Sequence, residues 1–185
     1  MVTHSDNPPG TLKIVFAGSM GAGKTTAIRA ISDGDTLSTE VPISDAPIGG
    51  KLSTTVGFDY GESRIDDGLT LRLFGTPGQE RFRFMWDILG TGAFGLVLLA
   101  DNSRPDPIGD VEHYLDAFLP HVPPRRIVVG VGRTDEHPSP SVDEFCDRLR
   151  RRALSLPVIE VDVRRPEDVR LLLSVLVSMA EVEHG

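Results

Sequence analysis

Short apolar runs of strand length alternate with segments of helical periodicity along most of the chain. The runs are rich in valine, isoleucine and leucine and are bounded by glycine, proline and polar residues, which is typical of strands buried on both faces. We predict strands over Leu12–Ala17, Phe58–Ile65, Leu69–Phe74, Phe94–Ala100, Ile127–Gly130 and Val158–Val161. We predict helices over Lys24–Ile31, Gln79–Leu89, Ile108–Leu119, Ser141–Leu154 and Pro166–Val182.

This alternation predicts an α/β fold with a single, mostly parallel six-stranded sheet and helices on both faces. One connection differs, because Asp66-Asp67-Gly68 joins two predicted strands directly and Asp-Gly favours the tight turn of a hairpin. The hairpin predicts one antiparallel strand at the edge of the sheet. In open sheets of this kind ligands bind beyond the carboxyl ends of the strands. Residues that directly follow strands are therefore the candidates for chemistry.

Two segments carry neither strand nor helix signal. Residues 1–10 are polar and proline-rich, and we expect a flexible tail before one domain over 11–185. Ser32–Thr54 is dense in glycine, proline, serine, threonine and aspartate. It is too long for an ordinary connection, so we expect it to be a functional loop or partly disordered.

Composition excludes several classes of function. The net charge of −8 argues against a broad nucleic-acid or membrane surface, because both would need a basic face. The single cysteine excludes an internal disulfide and a cysteine-rich metal site. The sequence shows no apolar run of membrane-spanning length and no lipidation signal. We therefore expect a cytoplasmic protein that reaches a membrane only through a partner.

The clearest motif is a phosphate-binding loop. Gly18-Ser19-Met20-Gly21-Ala22-Gly23-Lys24-Thr25 fits G-x-x-x-x-G-K-[ST], follows a predicted strand and opens a predicted helix. Glycines let the backbone N–H groups surround phosphates, and the helix directs its positive end at the same anion. We expect the Lys24 ammonium to contact the β- and γ-phosphates and the Thr25 hydroxyl to bind Mg²⁺. The nucleotide-binding residues predicted here are Gly21, Ala22, Gly23, Lys24, Thr25 and Thr26.

A second motif follows the predicted hairpin. The segment Phe74-Gly75-Thr76-Pro77-Gly78-Gln79-Glu80 resembles the D-x-x-G-Q-E motif of the Ras-like small GTPases, although the residues also fit a plain surface turn. The resemblance implies that Gly78 contacts the γ-phosphate and that Gln79 is the catalytic residue that orients the attacking water. Gly75 stands where the family has an aspartate that holds Mg²⁺ through water. Its absence predicts weaker Mg²⁺ binding and slower hydrolysis.

The same departure occurs in one bacterial branch of these proteins. Gly75 with the following Arg-Phe pair and Met85-Trp86-Asp87 resembles the conservon GTPases of actinobacteria, and the resemblance extends from Lys13 to Val182. It implies a roadblock-type partner protein and a sensor-kinase-like protein. In mycobacterial members it also implies a pentapeptide-repeat protein that acts on DNA gyrase.

The long polar segment ends in Thr54-Thr55-Val56-Gly57-Phe58, which resembles the first switch of the small GTPases. A threonine there gives a hydroxyl to Mg²⁺ and a backbone N–H to the γ-phosphate. We choose Thr55 over Thr54 for this role. The alternative is a strand that simply begins with β-branched residues.

Base recognition has weaker signals. Gly132-Arg133-Thr134-Asp135 occupies the place of the family's N-K-x-D motif. Asp135 can accept two hydrogen bonds from guanine and Arg133 can lie against the base, but Gly132 lacks the usual asparagine side chain. Asp162-Val163-Arg164 follows the last predicted strand, where the family places S-A-K, and the backbone N–H of Val163 would face the guanine O6.

The sequence therefore predicts a GTP/GDP-binding switch with slow intrinsic hydrolysis and Mg²⁺ as its cofactor. Two alternatives stay open. One is a nucleotide-dependent scaffold that scarcely hydrolyses GTP, and the other is a P-loop kinase for a small molecule. A kinase would need an arginine-rich lid, for which Arg148–Arg152 is the candidate segment. The glycine and glutamine of the second motif argue against it.

Overall fold

The computed structural model describes residues 10–44, 53–66 and 68–181. Most of the predicted N-terminal tail (residues 1–9), residues 45–52 of the predicted loop and Asp67 of the predicted turn lie outside these ranges. The strands are β1 (Thr11–Ala17), β2 (Leu37–Ser44), β3 (Ser53–Asp66), β4 (Leu69–Gly75), β5 (Gly95–Asp101), β6 (Ile127–Gly132) and β7 (Val158–Glu160). The α-helices are α1 (Lys24–Ile31), α2 (Arg83–Gly90), α3 (Pro107–Phe118), α4 (Val142–Arg151) and α5 (Pro166–Glu181).

The strands form one seven-stranded sheet in the order β2-β3-β4-β1-β5-β6-β7. β1, β4, β5, β6 and β7 run parallel, and β3 is antiparallel to both of its neighbours. The predicted α/β class and mostly parallel sheet are confirmed. The predicted strand number of six was wrong, and the antiparallel strand lies next to the edge because β2 pairs outside it.

The missed strand β2 falls within the segment that we expected to be a loop, Ser32–Thr54. Its sequence, Leu-Ser-Thr-Glu-Val-Pro-Ile-Ser, is half polar and contains a proline. Proline cannot donate a ladder hydrogen bond and is therefore found in edge strands, which is where Pro42 lies. The strand forms because its backbone pairs with β3 from Leu37–Tyr60 to Ser44–Ser53. Backbone pairing of this kind leaves little hydrophobic signal in the sequence.

The core lies in two layers, one on each face of the sheet. One layer packs α2, α3 and α4 against the sheet around Trp86, Phe118 and Phe145. The other packs α1 and α5 through Ile28 and Leu172. All seven residues of the interior strand β5 are buried, as its continuous apolar run predicts.

The predicted helix over Gln79–Leu89 is divided in the structure. A single 3₁₀ turn covers Glu80–Phe82 and α2 then begins at Arg83. The other predicted helices and strands differ from the observed ones mainly at their ends. Among the described residues, no helix combines the length and apolar character needed to cross a membrane.

The topology brings the predicted motifs to one edge of the sheet. β1, β4, β6 and β7 end there, and each is followed by one of the predicted phosphate-binding or base-binding segments. β3 runs in the opposite sense, so its earlier residues reach this edge rather than its last ones. Asp59 of β3 is paired with Gly75 at the end of β4.

Candidate functional site

The phosphate loop connects β1 to α1 through a tight turn. Gly23 caps α1 with a φ of 96°, a left-handed conformation that favours glycine. A Cβ at Gly23 would lie only 2.6 Å from the Cγ2 atom of Val163, which approaches from the loop after β7. The glycine therefore allows the turn and also the close packing of the two loops.

Lys24 lies within this loop and is 8% exposed. Its ammonium donates hydrogen bonds to the carbonyl oxygens of Gly18 at 2.7 Å and Ser19 at 2.8 Å. Burial lowers the pKa of Lys24 to about 8, although the nearby Asp59 carboxylate raises it. An anionic ligand beside this desolvated ammonium would stabilise the protonated, positively charged form of Lys24. A lysine that binds phosphate must be in that charged form.

The segment after β4 lies directly against the phosphate loop. A Cβ on Gly78 would be 2.6 Å from the backbone nitrogen of Met20, so only glycine permits this approach. The buried Trp86 indole donates a hydrogen bond to the Pro77 carbonyl at 2.9 Å, and the Tyr114 hydroxyl donates to the Gly78 carbonyl at 3.3 Å. These aromatic side chains hold Gly78 beside the loop from the helical layer beneath it.

Gln79, the predicted catalytic residue, follows Gly78 and is exposed. Its Nε2 atom lies 3.9 Å from the sulfur of Met20, which is a weak contact. The glutamine is therefore at the rim of the phosphate loop without a firm support. The structure places it beside Met20 and next to Gly78, and its catalytic role stays a prediction.

These groups line a cleft of about 510 Å³, which we call the phosphate cleft. Its walls include the predicted residues Gly21, Gly23, Lys24, Thr25, Thr26, Gly78 and Gln79. Thr76 also lines it, and the Thr76 hydroxyl is buried without a hydrogen-bond partner. Ala22, which we also predicted here, lines the neighbouring cleft described below.

Asp59 is a member of the phosphate cleft that sequence analysis missed. It is half-buried on β3, and its Oδ2 atom accepts a hydrogen bond from the Thr25 hydroxyl. The available signal was a carboxylate close to the predicted first switch, on the strand that pairs with the one carrying Gly75. Without the strand register, that residue looks like an ordinary polar position of an edge strand.

The second predicted metal ligand, Thr55, is described only in its backbone. Thr55 is paired with Pro42 within the β2–β3 ribbon. Its side chain lies outside the described part of the structure, so its role stays a prediction.

The predicted base-binding residues meet in a second cleft, also of about 510 Å³, which we call the base cleft. It is lined by Arg133 and Asp135 from the loop after β6 and by Asp162, Val163 and Arg164 from the loop after β7. It shares Gly21, Gly23 and Thr26 with the phosphate cleft. The two clefts therefore meet along the phosphate loop.

Arg133 links the base cleft to the phosphate loop. It has a φ of 63°, and its Nη2 atom donates a hydrogen bond to the Gly21 carbonyl at 3.4 Å. Its Nε atom lies 3.3 Å from the Oδ1 atom of Asp101, which also accepts hydrogen bonds from the Ser103 backbone and hydroxyl. Asp101, at the end of β5, is thus held by Arg133 and Ser103.

Asp162 is already paired within its own loop. Its two carboxylate oxygens accept hydrogen bonds from the Arg164 side chain at 2.8 and 2.7 Å. The Arg164 side chain and backbone N–H lower the pKa of Asp162 to about 2. We therefore expect Asp162 to shape the loop beside Val163, while Asp135 is the better acceptor for a base.

The chain is similar to known small GTPases. A family model described as a conserved hypothetical ATP binding protein matches residues 34–122, fewer than half of the chain. The Ras-related protein Rab-26 of Mus musculus is 25% identical over 175 residues, covering 89% of this chain and 60% of that protein. The Ras-related protein SEC4 of Candida albicans is 23% identical over 178 residues, covering 94% and 79%.

Rab-18-B of Danio rerio is 32% identical over 109 residues, covering 57% of this chain and 47% of that protein. The chain thus spans about half to three fifths of the length of Rab-18-B and Rab-26. Among solved structures, the G domain of the FeoB iron transporter of T. maritima is similar in fold with a TM-score of 0.65. That match is 18% identical and covers 92% of this chain and 99% of that one.

These similarities support a small GTPase and do not distinguish the conservon GTPases from other members. The region matched by the ATP-binding model contains neither the phosphate loop nor the loop after β6. It therefore carries no information about which base would be bound.

Proposed function

We propose that this chain is a GTP/GDP-binding molecular switch that uses Mg²⁺ and hydrolyses GTP slowly without a partner. The observation that carries the proposal is the meeting of the two clefts along residues 21–26. One cleft offers Lys24 and the backbone of the phosphate loop, and the other offers Asp135. A nucleotide lying across this boundary would have its phosphates and its base in chemically suitable surroundings.

The donor groups fit Mg²⁺. The metal ion prefers oxygen ligands and is usually held by few protein groups together with phosphate oxygens and water. The Thr25 hydroxyl, at the start of α1, is such a donor, and Thr55 is the second one that we propose. When bound, Mg²⁺ would neutralise charge on the β- and γ-phosphates.

Guanine selectivity would come mainly from Asp135. A carboxylate accepts hydrogen bonds from guanine N1 and N2, whereas adenine presents no matching pair of donors. Arg133 and the Val163 backbone are proposed as further contacts in the base cleft.

The surroundings of Gln79 support slow intrinsic hydrolysis. Among the described residues Gln79 has only the weak side-chain contact to Met20, which does not hold its amide against an attacking water. Two arginines follow Gln79 closely in the chain, and Arg81 also lines the phosphate cleft. Arg81 lies over the Phe82 ring at 4.7 Å, and Arg83 forms an ion pair with Glu80 at 3.7 Å. A partner that orders this segment would supply the missing support.

Regulation of a partner is proposed on two grounds. Phe84 and Ile88 of α2 are 43% and 60% exposed, next to the segment that contains Gln79. The resemblance to conservon GTPases suggests a roadblock-type protein and a sensor-kinase-like protein as partners, with a gyrase-directed pentapeptide-repeat protein as an effector. Recruitment from the cytoplasm to a membrane would then depend on such a partner.

The arginines at the end of α4 and just after it argue against the kinase alternative. Arg148 is paired with Glu112 of α3 at 3.0 Å, and Arg152 donates a hydrogen bond to Asp116 of the same helix. Arginines fixed against a neighbouring helix do not form a mobile lid. The scaffold alternative keeps the same binding site and differs only in its rate of hydrolysis.

Single-turnover hydrolysis of GTP tests the proposal. We expect slow phosphate release from the wild type, and slower release from Gln79→Leu with unchanged GTP binding. Addition of the roadblock-type partner should accelerate the wild type and not the variant, by roughly 10³-fold or more if the site is completed as in other GTPases. If GTP binds but is hydrolysed neither with nor without the partner, the scaffold alternative is favoured. Transfer of the phosphoryl group to an added small molecule would favour a kinase.

A further inference from the structure

Asp59 is the one carboxylate among the described residues that line the phosphate cleft. It accepts a hydrogen bond from the hydroxyl of Thr25. Its charge also raises the pKa of Lys24, in opposition to the effect of burial. Asp59 therefore faces both the lysine and the threonine that we assign to the phosphates and the metal ion.

A carboxylate in this place would repel the phosphates of a nucleotide unless a cation lay between them. The residue that it contacts is the proposed Mg²⁺ ligand, Thr25. Carboxylates that contact metal ligands or metal-bound water orient those ligands and increase the affinity for the ion. The position of Asp59 is therefore favourable for Mg²⁺-nucleotide and unfavourable for the nucleotide alone.

The space around Gly75 is partly taken by the Asp59 side chain. Gly75 on β4 is the register partner of Asp59 on β3. A Cβ at Gly75 would lie 3.2 Å from the Asp59 Cβ atom, 3.3 Å from its Oδ2 atom and 3.1 Å from the Cδ1 atom of Ile28. The Asp59 side chain therefore occupies space that a side chain at position 75 would need.

We infer that Asp59 supplies, from the neighbouring strand, the Mg²⁺-shell carboxylate that small GTPases carry at the position of Gly75. This inference rests on the proposed function, because it requires that the phosphate cleft bind a nucleotide with Mg²⁺. It replaces the expectation of a weakened metal shell that followed from Gly75 alone.

The test is the release of a fluorescent GDP analogue at graded Mg²⁺ concentrations and in EDTA. Asp59→Asn keeps the size of the side chain and an oxygen that accepts from Thr25, but removes the charge. We expect the Mg²⁺ concentration for half-maximal retention of GDP to rise about 10- to 100-fold. In EDTA the variant should retain GDP as well as the wild type or better, because a repulsive charge is gone.

Glu62→Gln is the matched control, since Glu62 is an exposed carboxylate on the same strand. We expect its Mg²⁺ midpoint to equal that of the wild type. In Asp59→Gly alone the Mg²⁺ midpoint should rise. The exchange variant Asp59→Gly with Gly75→Asp should bring the midpoint most of the way back to the wild-type value, because it returns one carboxylate to the cleft. Circular dichroism and thermal unfolding establish that each variant is folded. If Asp59→Asn does not fold, the inference is tested by comparing the Mg²⁺ midpoints of Asp59→Gly and the exchange variant, and equal midpoints would overturn it.

An unchanged Mg²⁺ midpoint in Asp59→Asn would overturn the inference. Equal losses of GDP with and without Mg²⁺ would also overturn it, because they indicate a structural role. Both results leave nucleotide binding by the wild type intact, and so leave the proposed function standing. A wild type that binds no guanine nucleotide under either condition would remove the proposed function and the inference together.

Discussion

The phosphate cleft and the base cleft each lack one side chain of the small-GTPase pattern, at Gly75 and Gly132, and the surroundings of these two glycines differ. At Gly75 the adjacent strand presents Asp59, which fills the space and contacts Thr25. At Gly132 a Cβ would meet only the carbonyl oxygens of Ala100 at 3.6 Å and Val161 at 3.7 Å, which are ordinary contacts. The first position is crowded by neighbouring side chains and the second is open.

The link that Arg133 makes to Gly21 does not restore the lost asparagine. Its length of 3.4 Å is near the limit for a hydrogen bond, and the Arg133 side chain is 53% exposed. A group missing from one strand can be replaced from the strand paired with it, because the backbone ladder fixes the distance between them. A loop side chain in solvent offers no equivalent constraint.

The largest effect that we expect is from Lys24→Ala, in the phosphate cleft. Loss of the buried ammonium should weaken GDP binding by about 3 kcal/mol or more, roughly 100-fold, because truncation of a buried charged partner is costly. The fold should persist, since Lys24 contributes a desolvated charge and little apolar packing. Isothermal calorimetry measures the affinity, with Lys13→Ala as a control outside both clefts. An unchanged affinity in Lys24→Ala would contradict the assignment of the phosphate loop.

Asp135→Asn should give the next largest effect, in the base cleft. We expect GTP affinity to fall by about 1–3 kcal/mol, because a hydrogen bond from the base to a charged acceptor is lost. Competition between GTP and ATP for the wild type and the variant measures the selectivity. Wild-type preference for guanine should be smaller than in relatives with a complete N-K-x-D motif. Equal binding of ATP and GTP by the wild type would show that Asp135 does not read the base.

Two single substitutions compare the crowded position, Gly75, with the open position, Gly132. Gly75→Asp should lower the free energy of unfolding by about 1–3 kcal/mol, because it crowds Ile28 and places a second negative charge beside Asp59. Gly132→Asn should leave stability within about 0.5 kcal/mol, as for a substitution without strain. Urea unfolding measures both values. Equal destabilisation by the two variants would end the distinction that we draw between the clefts.

Raising the pH should weaken GDP binding through Lys24, by a much smaller factor than the Lys24→Ala substitution. The pKa of Lys24 is lowered to about 8, and bound phosphate would raise it again. Above pH 8 the free protein has mostly neutral Lys24, so Lys24 must take up a proton when GDP binds. The affinity for GDP therefore falls as the pH rises above 8. We expect a fall of roughly fivefold from pH 8 to pH 9. Calorimetry in buffers of different ionisation enthalpy measures the proton uptake, and none is expected at pH 6.

Much of the fold was determined by sequence patterns that are local. The buried run of β5 and the strand–loop–helix order around Lys24 predicted their elements to within a residue or two. These patterns are readable because burial on both faces of a strand leaves a continuous apolar run. The polar edge strand β2 carries no such run, and only its pairing with β3 reveals it.

The metal side of the candidate site depended on tertiary structure. The β3–β4 register shifts by one residue between Arg64 and Asp66, and the shifted register pairs Asp59 with Gly75. Because side chains alternate between the faces of a strand, a shift of one residue decides which face and which neighbour a carboxylate meets. The sequence by itself predicted the phosphate loop, whose proposed ligands are consecutive backbone groups. It could not determine the partner of Gly75, because that partner is set by the register of two strands.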